Sequence, residues 1–167
     1  TTTLELLLAP HGDFACLKDD TNQLSNVVFP ATVELGDGSV LMTGGFRSVT
    51  EDGPKTYLSG PSPGAAIFDP RTGQMEVIEG MDPSEGRAAH SMVFIPSATG
   101  LDKGKVLIVG GLNKLEVDAT KGFPFVLAEA DARNDYVLFD VATRTFTSGD
   151  DTMLQKRGFP RAHILAD

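Results

Sequence analysis

The sequence predicts an all-β chain, and three observations carry that prediction. An apolar run closed by a glycine pair, Val40-Leu41-Met42-Thr43-Gly44-Gly45, returns 66 residues later as Val106-Leu107-Ile108-Val109-Gly110-Gly111. A second pattern, Ala66-Ile67-Phe68-Asp69 followed by Pro70-Arg71-Thr72-Gly73, returns 71 residues on as Val137-Leu138-Phe139-Asp140 followed by Val141-Ala142-Thr143. The apolar runs have the length of strands rather than helices, and 18 Gly and 10 Pro punctuate them. Repetition at this spacing marks an array of structural units, so the chain is read unit by unit.

Each unit reads as four short strands. Thr2–Leu8 is expected to be the last strand of a preceding unit. Strand one is Ala31–Leu35 in the first unit, His90–Ile95 in the second and Ala162–Ala166 at the end of the chain. Strand two, Ser39–Thr43 and Lys105–Val109, is rich in Val, Leu and Ile, which suits a strand covered on both faces. The glycines that close it, Gly44, Gly45, Gly110 and Gly111, allow positive φ or close approach of neighbouring backbones. Strand three is Ala65–Asp69 and Tyr136–Asp140, and strand four is Gln74–Ile78 and Thr145–Ser148. A tight turn joins three to four, with Asp69 and Asp140 placed to cap its backbone amides. Arg87-Ala88-Ala89-His90 has an echo in Arg161-Ala162-His163, so His90 and His163 are aligned as equivalent structural residues, with Thr32 at that place in the first copy.

Arg and His before strand one, an apolar strand ending in Gly-Gly, and an aromatic-Asp pair with a Thr-containing turn together resemble the kelch repeat. In the second copy these are Arg87, His90, Val106 to Gly111, Tyr136, Phe139-Asp140, Thr143 and Phe146. The resemblance implies kelch-type β-propeller blades of four antiparallel strands, forming an incomplete ring in this chain, since a propeller closes with about four to eight blades. It divides the sequence into 1–25, the end of a preceding blade and a linker; 26–80 and 81–152, two repeats; and 153–167, the start of another. The chain is therefore expected to be a section of a longer propeller, or a subunit completed by other chains. Met75 and Phe146 stand where kelch repeats usually carry Trp, and the period near 70 exceeds the usual kelch length of roughly 50 through insertions.

A four-stranded antiparallel blade runs up, down, up, down, so connections between strands two and three emerge on the same face as connections between blades. Those connections are long, Phe46–Gly64 and Leu112–Asp135, and loops well beyond about 12 residues tend to be functional. Together with Glu79–Arg87 and Gly149–Arg161 they form the expected recognition face. Its candidate binding residues are Arg47, Lys55, Arg87, Asn113, Lys114, Phe123, Phe125 and Arg157. On the opposite face, Pro96–Gly104 is expected to be a solvated insertion.

Composition narrows the function. Asp and Glu outnumber Lys and Arg by 23 to 14, and the net charge of −9 opposes phosphate binding, so nucleic acid is not an expected partner. No apolar run approaches the roughly 18 residues of a membrane-spanning helix. Cys16 is the only cysteine, so no intrachain disulfide and no thiolate cluster can form. Thr1–Pro10 lacks the basic start and apolar stretch of a secretory signal, which leaves an intracellular chain or one whose leader has been removed. No metal and no cofactor are expected. The glycine pairs lack the Lys-Ser or Lys-Thr of a phosphate loop, and the acidic residues lack the spacing of a calcium-binding loop.

Kelch resemblance implies a noncatalytic interaction or scaffold module whose partner is another protein or the remaining blades, with homo- or hetero-oligomers among the outcomes. Two alternatives accompany it. The chain is part of a carbohydrate-active or oxidase-type propeller enzyme, or a structural component of an extracellular or envelope assembly. Among kelch-like enzymes, copper radical oxidases gather two Tyr, two His and a Cys around one axis; this chain offers Tyr57, Tyr136 and Cys16. Glycine-rich acidic repeats of this style resemble those of exported bacterial proteins, which favours an extracellular or envelope location.

Overall fold

The computed structural model describes residues 4–8, 13–17, 27–99, 103–118, 120, 131–149 and 152–165. Strands β1 (Leu4–Leu8) and β2 (Asp13–Leu17) pair with each other as an antiparallel hairpin, Leu4 opposite Leu17. Two four-stranded antiparallel sheets follow. In the first, β3 (Ala31–Glu34), β4 (Val40–Thr43), β7 (Ala65–Asp69) and β8 (Gln74–Ile78) lie side by side in chain order. In the second, β9 (Ser91–Ile95), β10 (Lys105–Val109), β12 (Tyr136–Asp140) and β13 (Thr145–Ser148) repeat that order. A short 3-10 turn, η1 (Pro83–Glu85), lies between them, its Ser84 amide capped by the Asp82 carboxylate. Among the described residues no helix is long and apolar enough to cross a membrane.

Strand alternation builds the core. Rows Val33–Leu41–Ile67 in the first sheet and Phe94–Val106–Phe139–Phe146 in the second put apolar side chains on one face of each sheet. Leu41, Ile67, Ile78, Val106, Ile108, Val137 and Phe139 belong to a single buried cluster that spans both sheets. Met42, Ala66 and Phe68, which alternate with that face, are buried too, so β4 and β7 are covered on both sides. Such strands read as continuous apolar runs. Asp69 and Asp140 cap their turns: Asp69 Oδ1 accepts from Arg71 N, and Asp140 Oδ1 from Ala142 N and Thr143 N.

The described residues of the two long connections include strands. Phe46–Asp52 and Lys55–Pro61 are strands β5 and β6 of a hairpin, and Leu115–Asp118 is β11, which pairs with β6. The result is a third sheet in the order β5-β6-β11, built from connections that belong to different four-stranded sheets. The hairpin signal was local: β-formers on either side of Asp52-Gly53-Pro54-Lys55, with Gly53 taking φ +56 at the first turn position. The β6–β11 pairing is long-range and leaves no local pattern. It rests on a second buried cluster of Phe46, Leu58, Ala88, Ala89, Leu112 and Leu115.

The expected third strand one is also absent, since Ala162 to Leu165 are not in a strand. A strand exists only where a neighbour pairs with it, and none of the described strands lies alongside.

Glycine is required at Gly44 because a Cβ there would collide with the Arg87 carbonyl oxygen and the His90 ring, in a backbone with φ +72. At Gly53 nothing stands in the way. Gly44→Ala is therefore expected to cost more than about 2 kcal/mol and Gly53→Ala only about 1. Urea unfolding midpoints check the difference, and equal losses would place the steric limit elsewhere.

Candidate functional site

The segments that lead from one sheet into the next repeat a hydrogen-bonded joint. Gly45 N–H donates to the Arg87 carbonyl and Gly111 N–H to the Arg157 carbonyl, both at 2.9 Å. Ala89 N–H donates to Phe29 O and Phe159 N–H to Ala89 O, both at 3.0 Å. Phe29, Ala89 and Phe159 all have positive φ, at 60°, 50° and 51°, a backbone that bulky residues rarely adopt. Residues 27–31, 87–91 and 157–161 are thus three copies of one joint. This corrects the alignment read from the sequence. Arg157, not Arg161, matches Arg87; Pro30 and Pro160, not Thr32 and His163, stand where His90 stands. The shared Ala-His letters misled, whereas the Phe-Pro pairs at 29–30 and 159–160 carried the true register.

Arg87 is the centre of the second joint. It was expected on the recognition face, yet its side chain is 0% exposed. Nε donates to Glu85 O at 3.0 Å, Nη1 to Gly110 O at 3.2 Å, and Nη2 to Asp135 Oδ2 at 3.4 Å. Burial lowers its pKa, opposed by the Asp135 charge. Asp135 also holds Arg133 through both carboxylate oxygens. Desolvation works against Asp135 ionisation, but the Arg133 hydrogen bond and the two arginine charges outweigh it and keep its pKa below the ordinary value. Arg133 reaches on to Ser84 O and Asn113 Oδ1, both at 3.1 Å.

His90 completes the joint. Its Nε2 lies 2.8 Å from Thr43 Oγ1, and that hydroxyl donates to Met92 Sδ at 3.2 Å. A thioether sulfur accepts and never donates, so the Thr43 hydrogen is committed and Nε2–H is the donor to Thr43. Nδ1 is buried without a hydrogen-bond partner among the described residues. Desolvation first, and then the Arg87 charge, push the His90 pKa down to about 3.

The remaining candidates separate. Lys55 pairs with Glu116 at 2.7 Å, a contact that raises the Lys55 pKa through its hydrogen bond. Lys114 Nζ sits 5.2 Å from the centre of the Tyr57 ring, a cation–π contact on the third sheet. Asn113 and Arg47 are exposed near the same sheet, and Arg157 is exposed at the third joint. His163 is exposed and takes no part in a joint. Phe123 and Phe125 lie outside the described residues. Sequence reasoning missed Tyr57 and Thr43 as partners and the aromatic pair Phe29–Phe159, whose rings meet edge to face at 5.7 Å while remaining 37% and 41% exposed.

The described chain is therefore an all-β assembly of antiparallel sheets joined by a recurring backbone device. No family model matches the sequence, and no curated protein matches it. A solved structure of a fungal alcohol oxidase of the AA5 family, in complex with copper, superposes with TM-score 0.56 at 17% identity, over 81% of this chain and 25% of the oxidase. YjhT superposes with TM-score 0.37 at 12% identity, over 86% of this chain and 57% of its own, too loosely for further comparison. The likeness to the oxidase is one of fold, and this chain spans a quarter of that enzyme's length.

Two outcomes follow from the joint. Arg87→Met leaves two buried carbonyls without their donor and Asp135 with Arg133 alone, so unfolding stability should fall by about 2 kcal/mol or more; Arg87→Lys should recover only part, because an ammonium cannot reproduce the planar fork. Full recovery by Lys in urea titration would show that charge alone matters. For His90, the unfolded imidazole binds a proton below about pH 6.5 while the folded one resists until about 3. Its contribution is thus complete above 6.5 and lost as pH falls toward 3, with a slope of up to about 1.4 kcal/mol per pH unit. His90→Gln should flatten the pH dependence of stability in that window, and an unchanged slope would contradict this.

Proposed function

We propose that this chain is a section of a kelch-type β-propeller and acts as a noncatalytic protein-interaction or scaffold module. The observation that supports the reading most is the joint. It passes one four-stranded sheet to the next by two backbone contacts, Gly45 to Arg87 and Ala89 to Phe29, and both recur at residues 157–161 as Gly111 to Arg157 and Phe159 to Ala89. A device that adds sheets of one design in series is what a propeller requires. The recognition surface in this reading is the β5-β6-β11 sheet, with Tyr57, Lys114, Lys55 and Glu116 on it, rather than mobile loops.

A second reading, a section of an oxidase-type propeller enzyme, is favoured by the fold likeness to the alcohol oxidase. The described Tyr and His side chains do not fit the copper set that such enzymes gather. Tyr57 lies beneath Lys114, the Tyr136 ring packs against Gly149, His90 is committed to Thr43, and His163 is exposed. Among the described residues no three His, Cys, Asp or Glu converge.

Copper titration of the purified chain, followed by metal quantitation, visible absorption and a peroxide-release assay with alcohols, separates the readings. The interaction module is expected to retain copper well below one ion per chain and to release no peroxide. Stoichiometric copper with turnover would replace it by the enzyme reading.

A further inference from the structure

Two Asp-Gly dipeptides lie in hairpin turns, and the fold treats them differently. Asp37-Gly38 lies between β3 and β4, and Asp52-Gly53 leads from β5 into β6. The nitrogen of a glycine that follows an aspartate can attack the aspartyl carboxyl, because glycine has no side chain to block the approach. Both Asp37 and Asp52 are exposed, so access to water does not separate them.

Hydrogen bonding does separate them. At the first site both reacting groups are held. Asp37 Oδ1 accepts from Ser39 Oγ at 2.5 Å and from Ser39 N at 3.0 Å. The Ser39 hydroxyl first, and its amide second, keep this carboxyl below its ordinary pKa and hence ionised, the less reactive form. Gly38 N–H donates to Leu35 O at 3.0 Å. At the second site neither the Asp52 carboxylate nor the Gly53 amide has a hydrogen-bond partner among the described residues. Lys55, which stands opposite Asp52 across the turn, gives its ammonium to Glu116 at 2.7 Å. Gly53 is exposed at φ +56, with open space where its Cβ would stand.

We propose that Asp52 is a site of spontaneous conversion to isoaspartate, while the fold protects Asp37. The Gly53 nitrogen forms a bond to Asp52 Cγ as a Cγ–O bond breaks, and the amide proton leaves with the hydroxyl as water. A water molecule then opens the five-membered succinimide ring. Opening at the γ carbonyl restores aspartate; opening at the α carbonyl carries the chain through Cγ and frees the α-carboxylate. That free carboxylate is a methyl acceptor for a methyltransferase specific for isoaspartate. The product adds one carbon to the backbone at a two-residue turn, and such turns fix the register of the strands they join. In that register Thr50 faces Tyr57 and Asp52 faces Lys55, so the change reaches the third sheet. The proposal depends neither on the interaction function nor on the propeller reading.

Ageing the chain in warm neutral buffer tests it, with circular dichroism confirming the fold. Isoaspartate is read by enzymatic methyl transfer from S-adenosylmethionine and located by electron-transfer fragmentation of peptides. It should accumulate at residue 52 at least roughly tenfold faster than at residue 37, the factor carried by hydrogen bonds to a charged carboxylate. In urea, with both turns open, the two sites should react at similar rates. Asp52→Glu should remove the signal from its peptide, since the longer side chain would have to close a six-membered ring. Equal rates in the folded chain, or the same preference for residue 52 in urea, would overturn the proposal. So would a folded chain that stays unmodified at residue 52 while the urea sample accumulates isoaspartate there.

Discussion

The structure depends on how the segment Arg87 to His90 seats on the glycine pair of the preceding sheet. The Arg87 carbonyl takes the Gly45 amide, and the His90 ring fills the space where a side chain on Gly44 would stand. Both contacts require the first sheet to present bare backbone. They fix the spacing between sheets, and the shared core follows from that spacing. Leu41 and Ile67 on one side and Ile108 and Phe139 on the other form one buried cluster, and apolar surfaces held even a fraction of an ångström apart forfeit much of their dispersion attraction.

Burying Arg87 at this joint is unfavourable by itself. The effective penalty for removing an ion from water is several kcal/mol, and it is offset only because the Nε, Nη1 and Nη2 donors each have an acceptor. Two of those acceptors are carbonyls, one from the turn before β9 and one from the glycine pair after β10. The guanidinium therefore measures the distance between two backbone segments, which a flexible ammonium would not do. Asp135 carries a second arginine, and that excess positive charge is passed outward through Arg133 to Ser84 O and Asn113. Burial first, and the Arg87 charge second, hold His90 neutral. Neutrality matters because a protonated Nδ1 would be a buried donor with no acceptor among the described residues.

Much of the four-stranded architecture was legible in the sequence, since it is written in local signals. β7, β8, β10, β12 and β13 begin and end where apolar runs meet Gly, Asp or Thr turns, and Asp69 and Asp140 cap as their positions imply. Three kinds of information were not legible. The β6–β11 pairing joins residues about 60 apart and depends on Leu58 and Leu115 sharing a cluster, which no window of sequence reveals. The register of the joints follows backbone hydrogen bonds at Phe29, Ala89 and Phe159, whose side chains differ, so matching letters placed His163 and Arg161 wrongly. The burial of Arg87 depends on Asp135, far away in the chain, and an arginine in a connecting segment reads as solvent-facing until that partner is seen.

The third sheet changes what the candidate surface can be. Ordering backbone costs on the order of 1–2 kcal/mol per residue, so the long connections would stay loose unless their pairing buried something. It buries Phe46, Leu58, Leu112 and Leu115 against Ala88 and Ala89, next to the Arg87 joint. The sheet is therefore tied to the same constraint as the core, and Tyr57, Lys114, Lys55 and Glu116 stand on a backbone already fixed before any partner arrives. A preordered surface loses little further conformational entropy on binding. In the proposed reading, recognition on this face would be governed by the shape and charge of one sheet, with the joint at Arg87 and His90 acting indirectly by holding that sheet in place.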